Sequence, residues 1–296
     1  MPRNNTATLQ STDWNEEWKH LQRVRRKSDD SQYWNKRSKN YSTKDSPNPY
    51  VADFLELAGI REGESVMDMG CGTGSLAVPL ALAGHRVVAA DFSQGMLDEM
   101  AQRARAASAV GIEAHHMSWD DDWSACGIEP ESVDVAFASR SISTSDMLAA
   151  LMKLERVSRR RICITISTGC SPRMDPAILA ACGMKNTQGK DFQYAFNILV
   201  NAGVDPTVNY IKSSRKDTFD TPDEAFVDFA RMIEESESAD NPDAVALGKR
   251  NLQAWLGKNL VENEDAGKLD KKGIAEKKLR LLHPRIITWA FIAWDK

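Results

Sequence analysis

Residues 66–97 read VMDMGCGTGSLAVPLALAGHRVVAADFSQGML. The run SVMDMG (65–70) is apolar, ends in glycine and reads as a buried strand. SLAVPLALAGH (75–85) reads as a helix, with Pro79 in its first turns, where proline is best tolerated. RVVAAD (86–91) is a second strand. Strand, glycine turn, helix and strand make one unit of a parallel sheet. The three glycines let the backbone approach a ligand closely, because no Cβ intervenes. The helix that follows adds unpaired N–H groups. Asp91 lies 21 residues after Gly70, at the strand end where an acid can accept from both hydroxyls of a ribose. The turn therefore suits a nucleoside.

Spacing selects among nucleosides. The dinucleotide fingerprint is G-x-G-x-x-G, whereas Gly70, Gly72 and Gly74 stand as G-x-G-x-G. A P-loop needs lysine before serine or threonine, and none is present. Asp68, two residues before Gly70, would repel a pyrophosphate and suits a ligand that is positive there, such as an amino group or a sulfonium.

Outward from this unit the alternation continues. SQGMLDEMAQRARAAS (93–108) is a helix with Ser93 placed to cap it. IEAHHMS (112–118), SVDVAFAS (132–139) and RICITIS (161–167) are strands, and TSDMLAALMKLERVS (144–158) is an amphipathic helix. DFQYAFNILVNAG (191–203) reads as a helix stopped by Gly203, and PTVNYIKSS (206–214) as a strand. TPDEAFVDFARMIEES (221–236) opens with a capping box of Thr221 and Glu224. Polar helical sequence is expected from there to about 282, and RIITWAFIAWDK (285–296) closes the chain as a strand. PYVADFLELAG (49–59) is a helix, and residues 13–44 carry aromatics among many charges, as one or two amphipathic helices on the main body.

DMGCGTG followed by VVAADFSQGML resembles motif I and the next motif of the class I S-adenosylmethionine-dependent methyltransferases. The motifs cover 66–97, the alternation extends the resemblance to about 167, and the last two strands resemble that fold's antiparallel sixth and seventh. The resemblance implies an α/β fold: a seven-stranded, mostly parallel sheet with helices on both faces and an antiparallel last strand. N-terminal helices precede it, and a helical insertion separates the last two strands. The expected domains are an N-terminal lid or extension (1–48) and a methyltransferase domain (49–296) with the insertion at about 215–284.

The cofactor so implied is S-adenosyl-L-methionine. Asp68 and the loop of Gly70, Cys71, Gly72, Thr73 and Gly74 would hold its methionine part. Asp91 would hold the ribose, with Phe92 and Met96 near the adenine, and Ser93 also belongs to the cofactor site. HHMSWDDDW (115–123) stands where the family binds adenine, with Trp119 for stacking or backbone contact and Asp120 for the exocyclic amine. The usual Gly-Asp pair is absent there. Ser139 borders the cofactor after the fourth strand. The Asn-Pro-Pro-Tyr found there in enzymes acting on planar nitrogens is absent, which argues against adenine-N6 or glutamine methylation. Arg140 is open between a carboxylate of substrate or cofactor and a bridge to surface acids.

Substrate selection falls outside the common core. Tyr33, Trp34 and Tyr41 are candidates for a lid, or else helix anchors; Tyr194 lies on a helix that could face the pocket. His115 and His116 are adjacent on a strand and so point to opposite faces. No His–acid dyad is evident, and no catalytic base is singled out. The five cysteines form no CxxC pair and read as free thiols of a cytoplasmic protein. No metal is expected. No apolar run approaches the roughly 20 residues of a membrane span, and MPRNNTATLQ lacks the apolar core of a signal peptide.

A formal net charge of −4 gives no general attraction to nucleic acid. The expected function is methyl transfer to a small molecule, by a monomer or homodimer. The alternatives are an RNA or protein methyltransferase, which the basic run KHLQRVRRK (19–27) would serve, a nicotinamide-dependent oxidoreductase, and a non-catalytic cofactor binder.

Overall fold

The computed structural model describes residues 8–24, 31–38, 49–142, 144–185, 189–236, 240–269 and 275–296. Three helices come first: α1 (Trp14–Val24), α2 (Ser31–Ser38) and α3 (Pro49–Ala58). The alternating part follows as β1 (Val66–Met69), α4 (Ala77–Leu82), β2 (Val87–Asp91), α5 (Gln94–Ala106), β3 (Ile112–His116), β4 (Val133–Ser139), α6 (Met147–Val157) and β5 (Ser158–Ser167). Then come α7 (Pro176–Ala181), α8 (Asp191–Asn201), β6 (Thr207–Arg215), β7 (Thr218–Phe219), α9 (Pro222–Glu234), α10 (Pro242–Asn259), β8 (Leu260–Glu262), β9 (Leu279–Leu281) and β10 (Arg285–Asp295).

Seven strands form one sheet in the order β3-β2-β1-β4-β5-β10-β6. The first five pair in parallel. The last, β10, runs antiparallel to both β5 and β6, so β6 itself points the same way as the parallel set. The fold is the α/β sheet expected from the sequence, with the antiparallel strand last. β1 sits between β2 and β4, where the strand order reverses, and a crevice opens there beyond the carboxyl ends of the strands.

β1 is buried at every position, yet its side chains separate by alternation. Met67 and Met69 enter the core beneath α6 and α8, which also takes Val88 and Ala90 of β2. Val66, Val87 and Ala89 enter the opposite core, with α3, α4 and α5. Asp68 and Asp91 share that second face by the same alternation. Parallel pairing sets Asp68 beside Ala89, so Asp91 stands just beyond it at the rim. Register thus brings together two acids 23 residues apart in sequence.

Local chemistry ends the helices as expected. The Ser93 hydroxyl accepts from the Met96 N–H at the start of α5, and the Thr221 hydroxyl accepts from the Glu224 N–H at the start of α9. Glu224 returns to the Asp220 N–H rather than to that of Thr221, a shifted capping box.

The insertion differs from its expectation. Helix ends at Asn259, and the segments Leu260–Glu262 and Leu279–Leu281 join Thr218–Phe219 in a small antiparallel sheet. Those segments are too short to show a period, so only their pairing makes them strands. Phe219, Phe229, Leu252 and Leu281 build a third core, and Met174, Ile178 and Leu179 on and beside α7 complete it. The insertion therefore recruits a segment that precedes α8. Arg285, at the root of β10, ties the two parts together. Its Nε donates to Asp217 at 2.7 Å and its Nη2 to the Pro172 carbonyl at 3.1 Å.

Candidate active site

Beyond the carboxyl ends of β1, β2 and β4 lies a cavity of about 330 Å³. The glycine loop forms its floor. Gly70, Gly72 and Gly74 all have positive φ, between 54° and 77°. At Gly70 the requirement is also steric, because a Cβ there would lie 2.2 Å from the Cβ of Ser141. At Gly74 it would meet Met100 at 2.6 Å, so this glycine seats the loop on α5. Arg103 of α5 donates to the carbonyl and hydroxyl of Thr73 at 2.8 and 2.9 Å.

Asp91 shapes the loop as well as the cavity. Its two oxygens accept from the Gly72 N–H and the Ser93 N–H, both at 2.9 Å. Burial raises its pKa, although those N–H groups pull the other way. Asp68 is 2 % exposed. Burial first, and then the charge of Asp91, push it up to about 8; the Ala77 N–H and the charge of Arg140 oppose this. Neither carboxylate is hydrogen-bonded by a basic side chain among the described residues. Two buried acids on one wall are destabilised by each other and by desolvation, so the wall favours a ligand that brings positive charge. S-Adenosylmethionine meets this demand, with its sulfonium and ammonium.

The sequence candidates divide as follows. Asp68, Gly70, Cys71, Gly72 and Thr73 line the cavity, as do Asp91, Phe92 and Met96 on the β2 side. Trp119 and Asp120 line it from the loop after β3, and Ser139 and Arg140 from the end of β4. Burial pushes the Cys71 thiol well up, so it is no nucleophile at neutral pH. The Trp119 indole N–H donates to the Ser141 carbonyl at 2.9 Å, tying the two loops together. Gly74 and Ser93 do not line the cavity and act through packing and capping.

Of the substrate candidates, Trp34 lines the cavity and Tyr33 does not. The Tyr33 hydroxyl accepts from Arg37 and Arg173. Tyr194 faces away: its ring packs against Trp14 and Trp18, with centroids 6.0 and 5.7 Å apart, so it anchors α1 instead. Tyr41 lies outside the described residues. His115 contacts Glu113 and His116 contacts the Phe92 carbonyl, both on the edge strand and away from the cavity. Among the described residues no cluster of His, Cys, Asp and Glu could hold a metal ion, and no helix is long and apolar enough to cross a membrane.

Several contributors were not singled out from sequence. Ser75, Leu76, Ser118 and Ile142 line the cavity. Asn35 of α2 accepts, through its side-chain oxygen, from the Ser93 hydroxyl at 2.7 Å and the Gly95 N–H at 3.0 Å. Tyr50 of α3 bonds Ser139 and Thr165, both at 2.7 Å. A lone asparagine or tyrosine carries no motif, and nothing in the local sequence could have found them.

Residues 66–161 match the family model described as a methyltransferase domain. A Haemophilus influenzae protein described as uncharacterised is 27% identical over 249 residues, 84% of this chain and 82% of that one. An uncharacterised methyltransferase of Schizosaccharomyces pombe is 25% identical, over 76% of this chain and 79% of its own. The malonyl-[acyl-carrier protein] O-methyltransferase of Yersinia pestis is 32% identical over 123 residues, 41% of this chain and 43% of that one. The stretch matched as a methyltransferase domain contains both acids and the glycine turn between them. The acids and the glycine turn that call for a cationic nucleoside thus lie inside a methyltransferase domain, and the protein is an S-adenosylmethionine-dependent methyltransferase, with S-adenosyl-L-methionine as cofactor.

Proposed function

We propose that this enzyme methylates a small-molecule acceptor that enters between Arg140 and Trp34. The supporting observation is the latch of α2. Asn35 binds the first turn of α5, and this sets Trp34 against the cavity wall. A mouth narrowed in this way admits a small molecule more readily than a nucleic acid strand. The cavity also falls within the roughly 300–1,000 Å³ usual for small-molecule sites. Residues 1–48 then serve as lid, and 49–296 as the catalytic domain with its insertion.

In this reading Asp91 holds the ribose hydroxyls, while Asp68 and the loop 70–74 hold the methionine part. Phe92 and Met96 take one side of the adenine; Trp119 and Asp120 take the other. Bound S-adenosylmethionine would supply an electrophilic methyl group for transfer to a lone pair of the acceptor. The chain contributes alignment and exclusion of water, and alignment alone can be worth roughly 7–11 kcal/mol. No histidine lines the cavity among the described residues, and we assign no protein base.

The test is to incubate the enzyme with methyl-labelled S-adenosylmethionine and a cell extract, then separate small molecules from macromolecules by ultrafiltration. Label in the small-molecule fraction, lost with the Asp91→Ala variant, is the expected result. Label confined to protein or RNA would replace this reading.

A further inference from the structure

We infer that Arg140 anchors an anionic group of the acceptor, a carboxylate or a phosphate, across the cavity from the two acids. This rests on the small-molecule reading and names the chemistry that reading leaves open.

The backbone at Arg140 is held in place. Its N–H donates to the carbonyl and the hydroxyl of Thr165 in β5, at 3.1 and 3.0 Å. Its φ is +59°, in the left-handed region that a glycine would occupy freely and that strains other residues. Strain of this kind persists where the surroundings over-determine it, and it gathers at functional sites. Here it turns a long cation into the cavity wall.

The side chain has a platform. Its guanidinium carbon lies 4.0 Å from the centroid of the Tyr50 ring and 5.8 Å from that of Trp289. Tyr50 is itself fixed by its bonds to Ser139 and Thr165. Trp289 pairs with Ser167 at the carboxyl end of β5. A guanidinium stacked on ring faces keeps its in-plane N–H donors for a ligand. Other arginines of the fold meet carboxylates: Arg285 with Asp217, Arg160 with Glu64, Arg161 with Asp295. Arg140 lines a cavity and has no ion-pair partner among the described residues.

The cavity is therefore bipolar. Its acids stand on β1 and β2, and its cation stands over β4 and β5. β10, which carries Trp289, lies three strands from β1, roughly 14 Å at ~4.8 Å per strand. The negative pole suits the cationic donor. The positive pole, displaced towards β10, suits a second molecule of opposite charge, and a planar fork of donors matches a carboxylate or phosphate. The charge of Arg140 still reaches Asp68 and favours its ionised form. The competing role for the same cation is therefore to hold the carboxylate of the cofactor itself.

The experiment titrates the full-length protein, saturated with S-adenosylhomocysteine, with inorganic phosphate and with glutarate, and uses glutaramide as the neutral control. Tryptophan fluorescence reports binding through Trp34, Trp119 and Trp289. The inference expects saturable binding of at least one anion and none of the diamide. It also expects at least a tenfold loss of anion affinity in Arg140→Met, partial retention in Arg140→Lys, and S-adenosylhomocysteine affinity within about twofold of wild type. Arg140→Gly removes the cation while relaxing the backbone, and serves if the Met variant loses its fold. Absence of anion binding in the wild type, or equal binding in the variants, overturns the inference. So does a tenfold loss of S-adenosylhomocysteine affinity with unchanged 5′-methylthioadenosine affinity, because the cation would then serve the cofactor's carboxylate. If methyl label still enters small molecules in any of these cases, the anion site has failed and the small-molecule reading stands; label in macromolecules alone makes the reverse distinction.

Discussion

At Asp68 a carboxyl group lies buried with a second acid for neighbour. Its pKa, near 3.9 in an unfolded chain, is pushed up to about 8 in the fold. The folded state thus holds a proton that the unfolded state releases above pH ~4. Its contribution to stability is full below that point and is lost progressively as pH rises to about 8. The free protein should therefore show a Tm that falls from pH 5 to pH 8, and Asp68→Asn should flatten that slope; calorimetry across the range checks both. A cationic ligand favours the ionised carboxyl, so S-adenosylmethionine should bind more tightly as pH rises towards 8, with uptake of the ligand releasing a proton. Titration calorimetry in buffers of different ionisation enthalpy reads that proton directly.

Among the elements, α2 is the one whose position matters most for its size. It spans Ser31–Ser38, presents Trp34 to the cavity, and is latched by Asn35 to the first turn of α5. Gly95 makes the close approach possible: a Cβ there would stand 2.9 Å from the Ser38 hydroxyl oxygen and 3.3 Å from the Asn35 backbone. Each hydrogen bond is worth about 1 kcal/mol net. Asn35→Ala should accordingly speed cofactor release by about tenfold in stopped-flow measurements and shift Tm little, because α2 contributes no residue to the three cores. A large fall in Tm would make α2 part of the scaffold and end its role as a lid. The β1–α4–β2 unit behaves differently. Its glycines and its acids are demanded by the local turn and by strand register, which is why they were legible before any coordinates. Asn35 is legible only once α2 is docked, and so is the preference for Trp34 over Tyr33.

On the scale of the whole molecule, the sheet and the insertion have separate cores, and a buried polar joint ties them together. Arg285 and Asp217 are central to that joint, 5 % and 6 % exposed, and Nη1 of Arg285 is already without a hydrogen bond. Asp217→Ala would strand a buried cation and should cost about 3–5 kcal/mol in urea unfolding. Asp217→Ala combined with Arg285→Met should recover much of that loss.

Sequence alone determined the βαβ unit and the parallel sheet, because these follow from periods and spacings within tens of residues; the antiparallel last strand and the cofactor were implied by the resemblance of its motifs to a known family. Tertiary structure alone decided that Tyr194 anchors α1 instead of facing the pocket, and that residues 174–184 belong to the insertion's core. It also decided that Arg140 lies on Tyr50 and Trp289, contributed by a helix 90 residues before it and a strand 149 residues after. Such contacts arise when separate elements pack, and no local pattern encodes which side chains will meet.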